Sequence, residues 1–143
     1  MVGLLLLGLL LPPSLGQAAE ERWGGYSHEQ REKLIQEMQL TPEKAKEFEA
    51  VAEKYATTRQ EIADRIKKNQ AELEKALATS PADEAKIKEL VGVIAADHDK
   101  LLDSLKAQRR EEMALLTPVQ QGRFLMALKK WHEEMRERFE KKK

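Results

Sequence analysis

The stretch Leu116-Thr117-Pro118-Val119-Gln120, with its near copy Leu40-Thr41-Pro42-Glu43-Lys44 upstream, constrains this chain more than any other feature. In the first, Leu116 can lie just outside a helix, Thr117 can cap it, Pro118 suits the first helical position, and Gln120 falls three residues after the cap, the spacing of a capping box. Threonine accepts from an N–H of the first turn while glutamine returns a bond to the cap's own N–H, so two donors without helical partners are satisfied. The upstream copy keeps Thr41 and Pro42 but has Lys44 in place of the acceptor, and it caps less completely. A third start, Ser80-Pro81-Ala82-Asp83, is expected to use Ser80 as cap with Asp83 at the carboxylate position.

Hydrophobic spacing fills in the helices between these starts. From Pro42 to about Ala78 the residues Ala45, Phe48, Ala52, Tyr55, Arg59, Ile62, Ile66, Asn69, Leu73 and Ala76 recur at steps of three and four, which places them on one stripe. Such a helix is about 55 Å long. Arg59 and Asn69 within the stripe make its seam polar in part and fix its register. The tight connection at Thr79-Ser80 predicts an antiparallel partner helix running to about Leu115, with Ile87, Val91, Ile94, His98, Leu101, Leu105, Gln108 and Glu112 on its seam. Gly92 within it is expected to permit a close approach. Ser27 caps a short first helix over residues 28–38, with Leu34, Ile35 and Met38 on one face.

The amino-terminal residues 1–18 read as a secretory signal peptide: an apolar run from Leu4 to Leu11, two prolines, then Gly16-Gln17-Ala18, with cleavage expected near Ala18. Residues 19–27, with Trp23, a glycine pair and Tyr26, read as a flexible leader. Residues 28–139 form one all-α domain, a long helical hairpin with a short helix before it and another after it, and residues 140–143 are a basic tail. Without cysteine, neither a disulfide nor a thiolate metal site exists. Charged residues at 35% with aromatics at 5% suit long helices with thin seams. Helices in one thin layer are not expected to close a core alone, which predicts a homodimer through the hairpin.

The net charge is zero but unevenly placed: from Lys106 onward there are eleven Lys/Arg against six Asp/Glu, and the deficit lies before it. The last helix joins this basic character to the most aromatic face of the chain. Arg123, Phe124, Leu125, Leu128, Lys129, Lys130, Trp131 and Met135 are the candidate surface for a client or partner, with His132 and Phe139 beside them. The competing reading makes the apolar members a dimer core and the charges a solvated face. His132 and Met135, three apart, can present an imidazole and a thioether together, a pair suited to a soft metal, and His28 is a further candidate ligand. Against that stands the plainer reading of a half-exposed histidine beside a core methionine. His98 lies between Asp97 and Asp99, but helix neighbours diverge by about 100° and do not converge on one ion. Nothing in the sequence assembles a nucleophile with a base, and an enzyme is not expected. A neutral exported chain gives no reason to expect nucleic acid.

The two Leu-Thr-x-x-Gln-type starts, spaced by a long hairpin and preceded by an export signal and a short helix, resemble the Spy/CpxP superfamily of periplasmic stress proteins. Leu116 to Gln120 matches that motif fully and Leu40 to Lys44 departs from it at Lys44. The resemblance, over about residues 27–135, is nearest to the heavy-metal resistance branch, which includes zinc resistance-associated proteins and metal sensors. It implies a periplasmic, hooked hairpin that dimerises into a cradle and acts as an ATP-independent chaperone or stress adaptor. Alternatively it implies a sensor or buffer of Zn, Ni, Co or Cu, or an adaptor that docks on a membrane-bound signalling partner. Sensors of the branch take ligands from histidines on the first helix and from a His-x-x-x-Met pair before the second motif. The comparable places here hold Glu32 and Gln36, then Gln108 and Glu112.

Overall fold

The computed structural model describes residues 26–142; the expected signal peptide, most of the leader with Trp23, and Lys143 lie outside the described residues. Four helices follow one another: α1 (His28–Met38), α2 (Pro42–Ala78), α3 (Glu84–Ala114) and α4 (Pro118–Lys141).

Each start is made by side chains that satisfy the first-turn N–H groups. Ser27 and Gln30 form a full capping box on α1, as do Thr117 and Gln120 on α4, where the two bonds measure 3.3 and 3.0 Å. Thr41 accepts from the Lys44 N–H at 3.3 Å, and lysine has no acceptor to return. The α3 start differs from the expectation: Asp83, not Ser80, is the cap, its carboxylate accepting from the Lys86 N–H at 3.1 Å. The Ser80–Pro81 peptide bond is cis, so these two residues belong to the turn. α1 ends at Gln39, which takes the left-handed conformation (φ 54°) with its N–H on the Gln36 carbonyl. Arg123 of α4 donates to the Gln39 side chain at 3.1 Å and ties α4 to that turn.

The α2–α3 pair is antiparallel, because its cross-links run in opposite directions along the two chains: Lys54 to Glu111, Arg59 to Ser104, Arg65 to Asp97. On α2 the stripe faces inward, and Phe48, Ala52, Arg59, Ile62 and Ile66 are buried. On α3 the expected seam holds at Leu101, Gln108 and Glu112, which are buried, and at Ile87, Ile94, His98 and Leu105, which are half-buried; the departure is at Val91. Leu90, Asp97 and Ser104 are buried with Leu101, Gln108 and Glu112, whereas Val91 is 51% exposed. Asp97, beside the expected His98, also faces inward and accepts from Arg65 of α2 at 3.0 Å. Gly92 makes no close approach: a Cβ there would meet nothing within 4 Å.

At the open end of the hairpin α1 and α4 fold back and pack on one another. Tyr26, Leu34, Met38, Phe48, Leu116, Phe124, Ala127 and Leu128 form one buried cluster there. A core therefore closes within a single chain, by the doubling back of the two outer helices, where the sequence had suggested that a layer this thin needs a second copy. Tyr26 belongs to that core at 7% exposure, with its ring edge-on to Phe124 at 6.4 Å and to Trp131 at 6.1 Å. The leader, expected to be flexible to residue 27, is thus anchored at its last aromatic.

Candidate functional site

Beneath the aromatic cluster lies a buried polar node. Gln108 and Glu112 are one helical turn apart on α3 and share a face; both are buried, and Gln108 Nε2 donates to Glu112 Oε1 at 2.6 Å. The Tyr26 hydroxyl donates to the other carboxylate oxygen at 3.3 Å across 86 residues of chain. Burial raises the Glu112 carboxyl to about 6, opposed by the Gln108 bond, the Arg109 charge, the Tyr26 bond and the Arg59 charge. Burial also pushes the Tyr26 phenol well above its ordinary range, with the Glu112 charge adding to the effect. Arg59, 1% exposed, donates to Ser104 at 3.3 Å, and the Arg109 guanidinium lies 5.2 Å from the centre of the Phe124 ring. The node joins the amino-terminal segment to α3, with Arg59 of α2 near enough for its charge to act on Glu112.

This is where the family resemblance puts the second half of a metal site, and the residues present do not fit one. Glu112 spends its carboxylate on Gln108 and Tyr26, and a neutral amide beside it is a weak donor for a borderline or soft cation. Glu32, on the exposed side of α1, pairs with His28 at 3.1 Å, and Gln36 is exposed as well. Among the described residues, no group of three His, Asp or Glu side chains converges on one point.

The other candidate ligands are on the far half of α4. His132 is exposed and Met135 is 45% exposed; both line one groove, without a third soft or imidazole donor among its lining residues. His28 does not line it.

The candidate client surface divides in two. Phe124 and Leu128 are buried in the core, and Trp131 is half-buried against it while also lining a groove. Leu125, Lys129, Lys130 and Met135 are exposed, joined by Val119, Met126 and Phe139. Arg123 is exposed but engaged with Gln39. A groove of about 450 Å³ runs between the start of α1 and the second half of α4, and a second of about 480 Å³ lies on the other flank of α4 near Leu125 and Arg136; Arg109 lines both. Arg109 was missed by sequence reasoning, and Tyr26 was visible only as an aromatic of the leader. A lone aromatic in a glycine-rich stretch and one arginine among several carry no spacing signal, and only the fold brings them together.

A family model described as heavy-metal resistance matches residues 1–123, so that most of α4 lies beyond the matched span. Neither a curated protein nor a solved structure matches the chain.

Proposed function

The chain belongs to the heavy-metal resistance family, and from that premise we propose that it is a non-enzymatic, periplasmic stress protein that holds partly unfolded clients on α4 without ATP. The observation that carries this reading is the set of apolar side chains left exposed along α4. Leu125, Met126, Met135 and Phe139 are 50%, 61%, 45% and 68% exposed, interleaved with Lys129, Lys130, Arg136 and Arg138. Apolar side chains left open beside cations gain free energy when an apolar segment covers them, while the cations favour acidic or amphipathic clients. Methionine adapts its shape to differing partners. Among the described residues no helix is long and apolar enough to cross a membrane. The homodimer belongs to this proposal, since two copies would double the holding surface.

The metal-sensor reading rests on the family and on His132 with Met135 in one groove. The substitution of glutamine and glutamate for the family's ligand pair weighs against it.

The test is light scattering of a chemically denatured client diluted into buffer with the purified protein. Aggregation is expected to slow at near-stoichiometric ratios, and Leu125→Asp with Met126→Asp, both on the surface, should abolish the effect while the melting curve stays unchanged. A wild-type protein that leaves aggregation untouched removes the proposal. Calorimetric titration with Zn, Ni, Co and Cu(I) separates the second reading, which needs binding tighter than exposed carboxylates provide.

A further inference from the structure

Resting on that reading, we propose that the groove between the start of α1 and the second half of α4 is the specific seat for an acidic amphipathic peptide segment, its apolar side chains on Trp131 and Met135 and its carboxylates on Arg109 and Arg138. The groove holds several side chains' volume, about 450 Å³, and its floor is already built. Tyr26 is fixed edge-on against Phe124 and Trp131, so the aromatic surface is ordered before anything binds and little rotamer entropy remains to be lost.

Charge selects the occupant. Lys33 and Glu29 line one wall and pair with each other at 3.1 Å, which leaves Arg138 and Lys142 against Glu134, with Arg109 at the inner end, its charge shared with the buried Glu112. Arg109 is half-buried and stacked on the Phe124 ring, and a guanidinium partly withdrawn from water binds a carboxylate more strongly than an exposed one does. A basic or neutral segment gains nothing from these groups. An acidic segment without apolar side chains leaves the ring floor and Met135 uncovered, so both properties are required in one ligand.

The experiment uses the whole mature protein with Trp23→Phe, so that Trp131 is the sole indole, and reads its emission while a synthetic amphipathic peptide is added. The peptide carries leucines on one face and glutamates on the other; one analogue has every glutamate replaced by glutamine and a second has lysine. Saturable change in Trp131 emission is expected with the acidic peptide, about tenfold weaker binding with the glutamine analogue, and none with the lysine analogue. Arg138→Glu, at an exposed position, should weaken the acidic peptide to a similar extent without altering the melting curve. Equal binding of the three peptides, an unresponsive Trp131, or indifference to Arg138→Glu overturns the proposal. So does a Trp131 change on concentrating the protein alone with a doubling of its mass, because a second copy then fills the groove. If denatured clients are held but the acidic peptide is ignored, the groove proposal falls and the holding function stands on the rest of α4. If the peptide binds while aggregation proceeds unchecked, the holding function falls and the groove keeps its ligand.

Discussion

Midway along the shaft of the hairpin only two helices meet, and the buried cluster there is Ile62, Ile66 and Leu101, with Arg65 and Asp97 paired at its edge. At the open end α1 and α4 return, and eight residues from Tyr26 to Leu128 close around Phe48 and Phe124, whose rings meet edge-on at 6.0 Å. The shaft is repetitive, each turn supported by the one opposite in a simple antiparallel register. The open end is non-local, because its contacts join residue 26 to residue 112 and residue 39 to residue 123. The chain therefore puts its larger and less regular core, with the grooves beside it, at the open end and leaves the shaft a simple two-helix pair.

Phe124→Ala gives the largest break in this comparison. A buried phenylalanine truncated to alanine typically costs about 3–5 kcal/mol through lost transfer energy and the cavity left behind, and Phe124 is fully buried beneath Tyr26, Phe48 and Arg109. Amide exchange should then show α1 and α4 losing protection well before the middle of α2 and α3. Loss of protection at one common rate along all four helices would mean that the two regions do not open separately.

The two regions should also answer pH in opposite senses. The Glu112 carboxyl is raised from 4.5 to about 6 in the folded chain, so between those values the native state keeps a proton that the unfolded chain releases. Its stabilising contribution is full below the unfolded value and is lost as pH rises through about 6, an effect of about 2 kcal/mol at most. Asp97 is shifted the other way, lowered from 3.8 chiefly by its bond from Arg65, so its contribution is present above the unfolded value and is lost as pH falls through the lowered one. Urea midpoints are expected to rise on acidification from neutrality to about pH 5 and to fall at lower pH. Glu112→Gln should flatten the first limb and Asp97→Asn the second. A first limb that survives Glu112→Gln places the titrating group elsewhere.

Much of the shaft is legible in the sequence for the same reason that it is regular. A stripe such as Phe48, Ala52, Tyr55, Arg59, Ile62, Ile66 reports its own burial through spacing alone, and Thr41, Thr117 and Pro118 mark helix starts because capping is a local bargain between near neighbours. Val91 and Leu90 show where that reading stops. Periodicity by itself does not distinguish two adjacent apolar residues: steps of three and four reach Leu101 from either, and Leu90 is buried while Val91 is exposed. The open end was less legible still. The aromatic members of α4 were recognised as one face, but whether Phe124 and Leu128 point to a client or to the interior depends on Tyr26 and Leu34, and no periodic signal links those residues to α4. Gln108 and Glu112 were visible as departures from the family's ligand pair, while the partner that occupies them, Tyr26, was not.

The smallest test returns to the two Leu-Thr-Pro starts, which share a cap and differ in reciprocity. At α4 the Thr117 N–H donates to the Gln120 side chain at 3.0 Å; at α2 the third position is Lys44, whose ammonium instead pairs with Glu47 at 3.3 Å. That pair is partly exposed on both sides and adds little. A positive charge in the first turn also opposes the helix dipole. Lys44→Gln supplies the missing acceptor, removes the unfavourable charge and gives up only the weak pair, for a net gain of about 0.5 kcal/mol. The melting temperature should rise by roughly 1–3 °C. Gln120→Lys at α4 is the mirror experiment and should lose a similar amount. If Lys44→Gln is neutral while Gln120→Lys destabilises, reciprocity matters only where the cap adjoins the packed core, and the contrast between the two regions extends down to single hydrogen bonds. If both are neutral, the threonine oxygen alone does the capping, and the difference between the two starts has no energetic consequence.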